Sequence, residues 1–388
     1  MPHTWHRRIR TRGDRPGSVH SGRLERYLGT ERVEYLSRSM RGWYGPPIAL
    51  LDVPGAVRMT GDGDFVGQFD RGYFVGALDA LYSELRDLWM RLSHPPHGRF
   101  AAGFASVDDA LARSSGGFGQ IINGQVQKTG PTGVTASSSD LWRLGAMPVA
   151  GSLGAAPPGG TANALGNTGA MLFTNPAAGT LRLTGADFAA SVANNALMLY
   201  DRLFSVSPNM NSSATQSVTG VPTRFQSTTT TSEDYAGGNY LFFAVGGTAL
   251  AATAHNWTVC LYRDDANNDA QTLPSIAGIS GAIVDRFDMP TNAWFAPLAA
   301  GDAGLMDLDQ LQLSAAVATG VANAVIGHPV GVMAFPIATL QLPFDWITNR
   351  RLAPYIPASA CLALHEMPKP SATATTYAGQ IYSASTAS

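Results

Sequence analysis

Charge is scarce in this sequence. Only 14% of its 388 residues are charged, against roughly 25% in soluble globular chains, so buried or shared surface must replace solvated charge. Cysteine is scarcer still. Cys260 and Cys361 stand about a hundred residues apart, which excludes a disulfide-dense secreted scaffold and a four-cysteine zinc site, and predicts two buried thiols in strands.

The motifs of common chemistries are missing as well. Gly116-Gly117-Phe118-Gly119 lacks both the lysine of a nucleotide loop and the third glycine of a dinucleotide fingerprint. Gly278-Ile279-Ser280-Gly281 sets its serine and glycine one position too close for a nucleophile elbow. The eight histidines show no HxxxH or HExxH spacing, and His255, His328 and His365 are expected on separate strand ends. His365 and Glu366, adjacent on a strand, point to opposite faces and do not act jointly. No cofactor is implied and no enzymatic activity is expected. Arg7, Arg8, Arg10 and Arg12 are followed by Gly, Asp and Pro rather than by an apolar run, so no secretory leader is read, and synthesis in the cytoplasm is expected.

What is present is mostly strand pattern. Between Gly238 and Met333, short apolar segments alternate with small-residue turns. Trp257, Val259 and Leu261 fall on one face of a strand. In Met306 to Leu313 the alternation breaks phase at Leu311, which predicts a bulge or a strand changing sheets. Further strands are expected at 170–174, 180–183, 196–204, 239–245, 293–298, 322–334 and 360–366. Residues 184–204 also fit a helix, but Asn194-Asn195 reads better as a turn before a strand. The uncharged run Leu313 to Phe344 is long enough to span a bilayer. Its glycines and prolines favour two buried strands joined by turns, and no membrane partner is expected.

The front of the chain differs. Residues 1–40 hold nine arginines against Asp14, Glu25, Glu31 and Glu34, a net charge of about +5. Such a basic arm can pair with acidic protein neighbours through Arg7, Arg8, Arg10 and Arg12. Nucleic acid is the lesser reading, because acids interrupt the tract. Within the helical region 41–113, Leu78, Leu81, Leu85, Leu88 and Leu92 recur at helical steps before Pro95-Pro96, a seam for docking on the chain's own core or for self-association. Residues 114–166, rich in Gly, Ser and Pro, read as a flexible linker or a strap ordered by a neighbouring subunit. The tail 371–388 is expected to be held by a partner. Asp264, Asp265 and Asp269 form a weak calcium candidate in a turn-like loop, with Asp62, Asp64 and Asp70 a weaker one. Trp257, Trp294 and Trp346 are candidates for stacking on carbohydrate, with core placement as the plainer alternative.

The series Leu197-Met198-Leu199-Tyr200-Asp201-Arg202-Leu203, Thr223-Arg224-Phe225, Asn239-Tyr240-Leu241-Phe242-Phe243, Thr258-Val259-Cys260-Leu261-Tyr262 and Trp294-Phe295-Ala296-Pro297-Leu298-Ala299-Ala300-Gly301-Asp302-Ala303-Gly304 resembles a recurrent group of tailed-phage virion proteins, over about residues 165–370. Arg263-Asp264-Asp265 and the helical front end depart from that pattern. The resemblance implies a non-enzymatic building block, a head-associated component such as a capsid decoration or cement protein, with a major capsid protein or a tail or receptor-binding component as alternatives. Its partners would be copies of itself, as a trimer or higher symmetric oligomer, and other virion proteins. The expected fold is mainly β: a C-terminal antiparallel β-sandwich of jelly-roll type over 167–370, an N-terminal helical arm, and a long extended strap.

Overall fold

The computed structural model describes residues 104, 106–115, 117–133, 135–227, 238–347 and 354–387, all within the unit Asp87–Ser388. The arginine arm and the leucine seam lie outside the described residues.

The described chain opens with one helix, α1 (Val107–Ser115). Ser106 Oγ caps it by accepting from the Asp109 amide at 3.0 Å, and Asp108 and Asp109 sit at the positive end of its dipole. Strands follow in chain order: β1 (Gly119–Thr129), β2 (Ser139–Asp140), β3 (Thr161–Ala162), β4 (Leu181–Ala190), β5 (Asn195–Val206), β6 (Gln216–Ser217), β7 (Tyr240–Val245) and β8 (Asn256–Asp264). Then come β9 (Gln271–Thr272), β10 (Ile276–Ala277), β11 (Leu305–Leu313), β12 (Ala322–Phe335), β13 (Leu342–Asp345), β14 (Tyr355–Ile356), β15 (Leu362–Glu366) and β16 (Thr376–Ser385).

These strands form three antiparallel sheets. The first has the order β1-β16-β4-β13 with β14 also on β4, the second β2-β15-β5-β12-β7 with β3 on β5, and the third β10-β8-β11-β6 with β9 on β8. The second sheet is the middle layer, and β15 shows why. Leu362 and Leu364 enter the core shared with the first sheet, beside Phe188, Phe335 and Tyr377. Cys361 and Ala363 face the other way, into the core shared with the third sheet, where Phe243 stacks on Trp257 at 4.0 Å. With both faces covered, all five residues of β15 are buried.

The mainly β, antiparallel sandwich read from the sequence is the observed architecture, and most expected strands fall in place. Residues 170–174 and 293–298 are not strands but irregular segments laid on the core. Asn194 takes the turn, with φ of 58°, and β5 follows it. The phase break in β11 is a bulge at Asp309, between the pairs Leu308–Tyr262 and Gln310–Leu261. A second irregularity skips Thr258, so the buried face of β8 runs from Trp257 to Cys260 and Tyr262 instead of Val259 and Leu261. The uncharged run from Leu313 to Phe344 supplies β12 and most of β13. Pro329 sits inside β12 without cost to the ladder on that side, because β7 pairs only as far as Gly327.

Two expectations are corrected. Residues 114–166 are neither a free linker nor a strap that needs a neighbouring subunit: they contain β1, which pairs with β16 on both sides of an irregularity between Ile122 and Val126. The tail is held by its own chain: 376–385 form β16, between β1 and β4. Its Tyr377 and Ile381 are fully buried in the core shared with the middle sheet. Weak hydrophobicity concealed this strand; the small residues Ala378, Gly379 and Ser383 let its neighbours approach.

Candidate functional site

Of the two calcium candidates, Asp62, Asp64 and Asp70 lie outside the described residues, and Asp264, Asp265 and Asp269 lie at the end of β8 and in the loop before β9. Asp264 is buried, and its carboxylate closes its own loop by accepting from the Asn268 amide and from Asn268 Nδ2, both at 2.7 Å. Asp265 Oδ1 accepts from the Ala303 amide at 3.2 Å, and Asp269 is exposed. Among the described residues no group of three or more His, Cys, Asp or Glu is placed to hold a metal ion. The pattern is that of a turn closed by its aspartate. Both thiols are buried and unpaired, and burial pushes each up to about 12.

The segment 131–163 is fastened to the sandwich by buried charges. Asp140, at the end of β2, accepts from Arg202 Nη1 at 2.7 Å and from Tyr200 OH at 3.0 Å, and Arg202 lies over the Trp142 ring at 4.9 Å. Arg224 grips Asp201 with two bonds of 2.9 Å and donates to the Asn163 carbonyl. Arg286 donates to Ser139 Oγ and to the Pro131 carbonyl. Glu366 accepts from Ser139 Oγ, Lys369 Nζ and Tyr377 OH, each at 3.0 Å. Each carboxylate is met by a cation and by further donors, the condition under which buried charge is tolerable. Burial pulls Lys369 down, while Glu366 opposes that pull.

Three histidines have distinct environments. His255 Nε2 meets Asp288 Oδ2 at 2.8 Å, and Trp257 Nε1 donates to the same oxygen at 3.0 Å. Burial pulls His255 down, but the bond and charge of Asp288 hold it above its ordinary value. His328 stacks on Phe225 at 3.9 Å, and burial lowers it to about 4. His365 is fully buried among Tyr200, Phe242, Phe287 and Phe295, with neither ring nitrogen hydrogen-bonded, and burial lowers it too to about 4. As the alternation required, Glu366 faces the opposite core.

Among the described residues, two surfaces stand out for their exposed apolar side chains. One is the outer edge of β1, where Met147 bridges Gln127 and the Leu172 carbonyl accepts from the Asn123 amide. Ile121, Met147, Val149 and Leu172 are 44–60% exposed there. The other is a groove of about 540 Å³ lined by Asn194, Asn195, Asn292, Trp294, Pro336 and Met367, among others. Of the three candidate tryptophans, Trp257 and Trp346 are core residues at 1% and 3% exposure, and Trp294 is 45% exposed. The sequence could name Trp294 but not its neighbours, most of which come from three distant segments.

Comparison with protein-family models gives no match, and comparison with curated proteins gives none. A solved structure, "Structure of infectious bursal disease virus Gt strain", aligns over 70% of this chain and 83% of its own at 11% identity, with a TM-score of 0.12. At that score the likeness carries no argument.

Proposed function

We propose that this chain is a non-enzymatic structural protein of a phage virion, a capsid decoration or cement protein or another head-associated assembly component, that associates with copies of itself and with other virion proteins. The sequence resemblance over about residues 165–370 supports this reading, and so does the mainly β sandwich. The observation that carries it is the exposed apolar rim beside β1, formed by Ile121, Met147, Val149 and Leu172. Large apolar side chains exposed side by side invite a neighbour. Burying it contributes roughly 25 cal/mol per Å² before ordering costs. Because residues 114–166 and the tail are fastened within their own chain, the rim is presented on a rigid edge.

Sedimentation velocity on the full chain tests this. The wild type is expected to run as a defined trimer or larger symmetric oligomer, and a Met147→Glu/Leu172→Glu variant as a monomer with unchanged Tm. A wild type that stays monomeric at all concentrations contradicts self-association. The alternative of a tail or receptor-binding component is favoured by one observation, the exposure of Trp294.

A further inference from the structure

We infer that the groove at Trp294 binds a neutral carbohydrate chain. Four segments build it: the turn and first residues of β5 (Asn194, Asn195), the loop carrying Asn292 and Trp294, the end of β12 with Pro336, and the residues after β15 with Met367. The indole is about half exposed beside the concavity, although packing claims the other two candidate tryptophans. Asn194 and Asn292 also line it, in left-handed backbone conformations with φ of 58° and 65°. Asparagine tolerates that region better than most residues.

Asn195 adds a second, independent sign. It is 3% exposed, and its Nδ2 donates to the Val192 carbonyl at 2.9 Å and to Thr375 Oγ1 at 3.1 Å, while its Oδ1 has no hydrogen-bond partner. A buried acceptor without a donor is costly, and this one belongs to a residue of the groove wall, so a ligand hydroxyl supplies a donor only where that wall yields. Among the described residues no charged side chain lines the groove, which disfavours phosphates, nucleic acid and acidic polysaccharides. A pyranose presents an apolar C–H face and a rim of hydroxyls that both donate and accept. The groove offers the complement: an indole face, the apolar walls of Pro336 and Met367, and the exposed amides of Asn194 and Asn292.

This inference deepens the receptor-binding alternative. Its failure is separable from failure of the assembly reading, which is read from mass and from residues at the β1 edge. The test is isothermal titration of the full chain with neutral tetrasaccharides built on glucose, mannose, galactose and N-acetylglucosamine, with a uronic-acid oligosaccharide as the charged control. At least one neutral tetrasaccharide is expected to bind, with Trp294→Ala weakening it about tenfold or more at unchanged Tm and Trp294→Tyr retaining most of the affinity. Absence of binding by every neutral sugar overturns the inference, as does binding that survives Trp294→Ala. A Trp294→Ala variant that changes the sedimentation coefficient also overturns it, because the groove is then a protein interface.

Discussion

At His365 an imidazole is enclosed by aromatic rings with neither nitrogen bonded, and its proton affinity falls to about 4. An unfolded histidine titrates near 6.5. As pH falls, the unfolded chain takes up the proton first, so stability present above pH 6.5 is lost progressively toward pH 4, by about 3 kcal/mol at full shift. Urea unfolding at pH 7.5 and pH 5 should show this loss, and His365→Leu should reduce it. His328 acts in the same direction, while His255, held above its ordinary value, contributes stability below pH 6.5 that is lost as pH rises. Asp140 offers a sharper test. Asp140→Ala leaves the Arg202 guanidinium buried beside Trp142 without its carboxylate, at an expected cost of about 3–5 kcal/mol in equilibrium unfolding. A loss below about 1 kcal/mol would show that water or another acceptor takes the carboxylate's place. None of these pairings was legible in the sequence, because Asp140 and Arg202 stand 62 residues apart and Arg286 and Ser139 stand 147 apart. The opposite facing of His365 and Glu366 was legible, since strand alternation alone dictates it.

At the scale of elements, strands with long apolar alternation were readable and those made of small residues were not. β7, β11 and β12 carry enough Leu, Phe, Val and Ile to declare themselves, β5 was told from a helix only by the Asn194-Asn195 turn, and Leu311 announced the bulge in β11. β8 misled because the skip at Thr258 reverses which side chains face inward, and a backbone irregularity leaves no side-chain signature. β16 hid in a Ser/Thr/Ala tail. Its small residues serve close approach: a Cβ on Gly379 would overlap the Asp187 carbonyl and the Phe188 ring of β4. Gly379→Val should therefore cost about 1–3 kcal/mol, read by thermal unfolding. Removing residues 376–388 should abolish cooperative folding, because it separates β1 from β4 and uncovers Phe188 and Ile122. A truncated chain with native-like Tm would contradict the central place of β16.

At the scale of the molecule, three sheets bury two apolar cores, and residues 114–166 and the tail are bound within their own chain by strand pairing and buried charge. The low charge of the sequence is accounted for in part by that interior and in part by the apolar rim on β1. The sequence reading that assigned the connecting segment to a neighbour followed from its composition, since Gly, Ser and Pro carry no sign of partners held by distant arginines. Hydrogen–deuterium exchange, comparing the full-length wild type with the Met147→Glu/Leu172→Glu variant at the same concentration, tests the rim as the assembly surface most directly. Slower exchange in the wild type confined to residues 119–129, 145–150 and 170–175 is the expected result. Protection that is equal in both proteins, or that falls on another face, would contradict it.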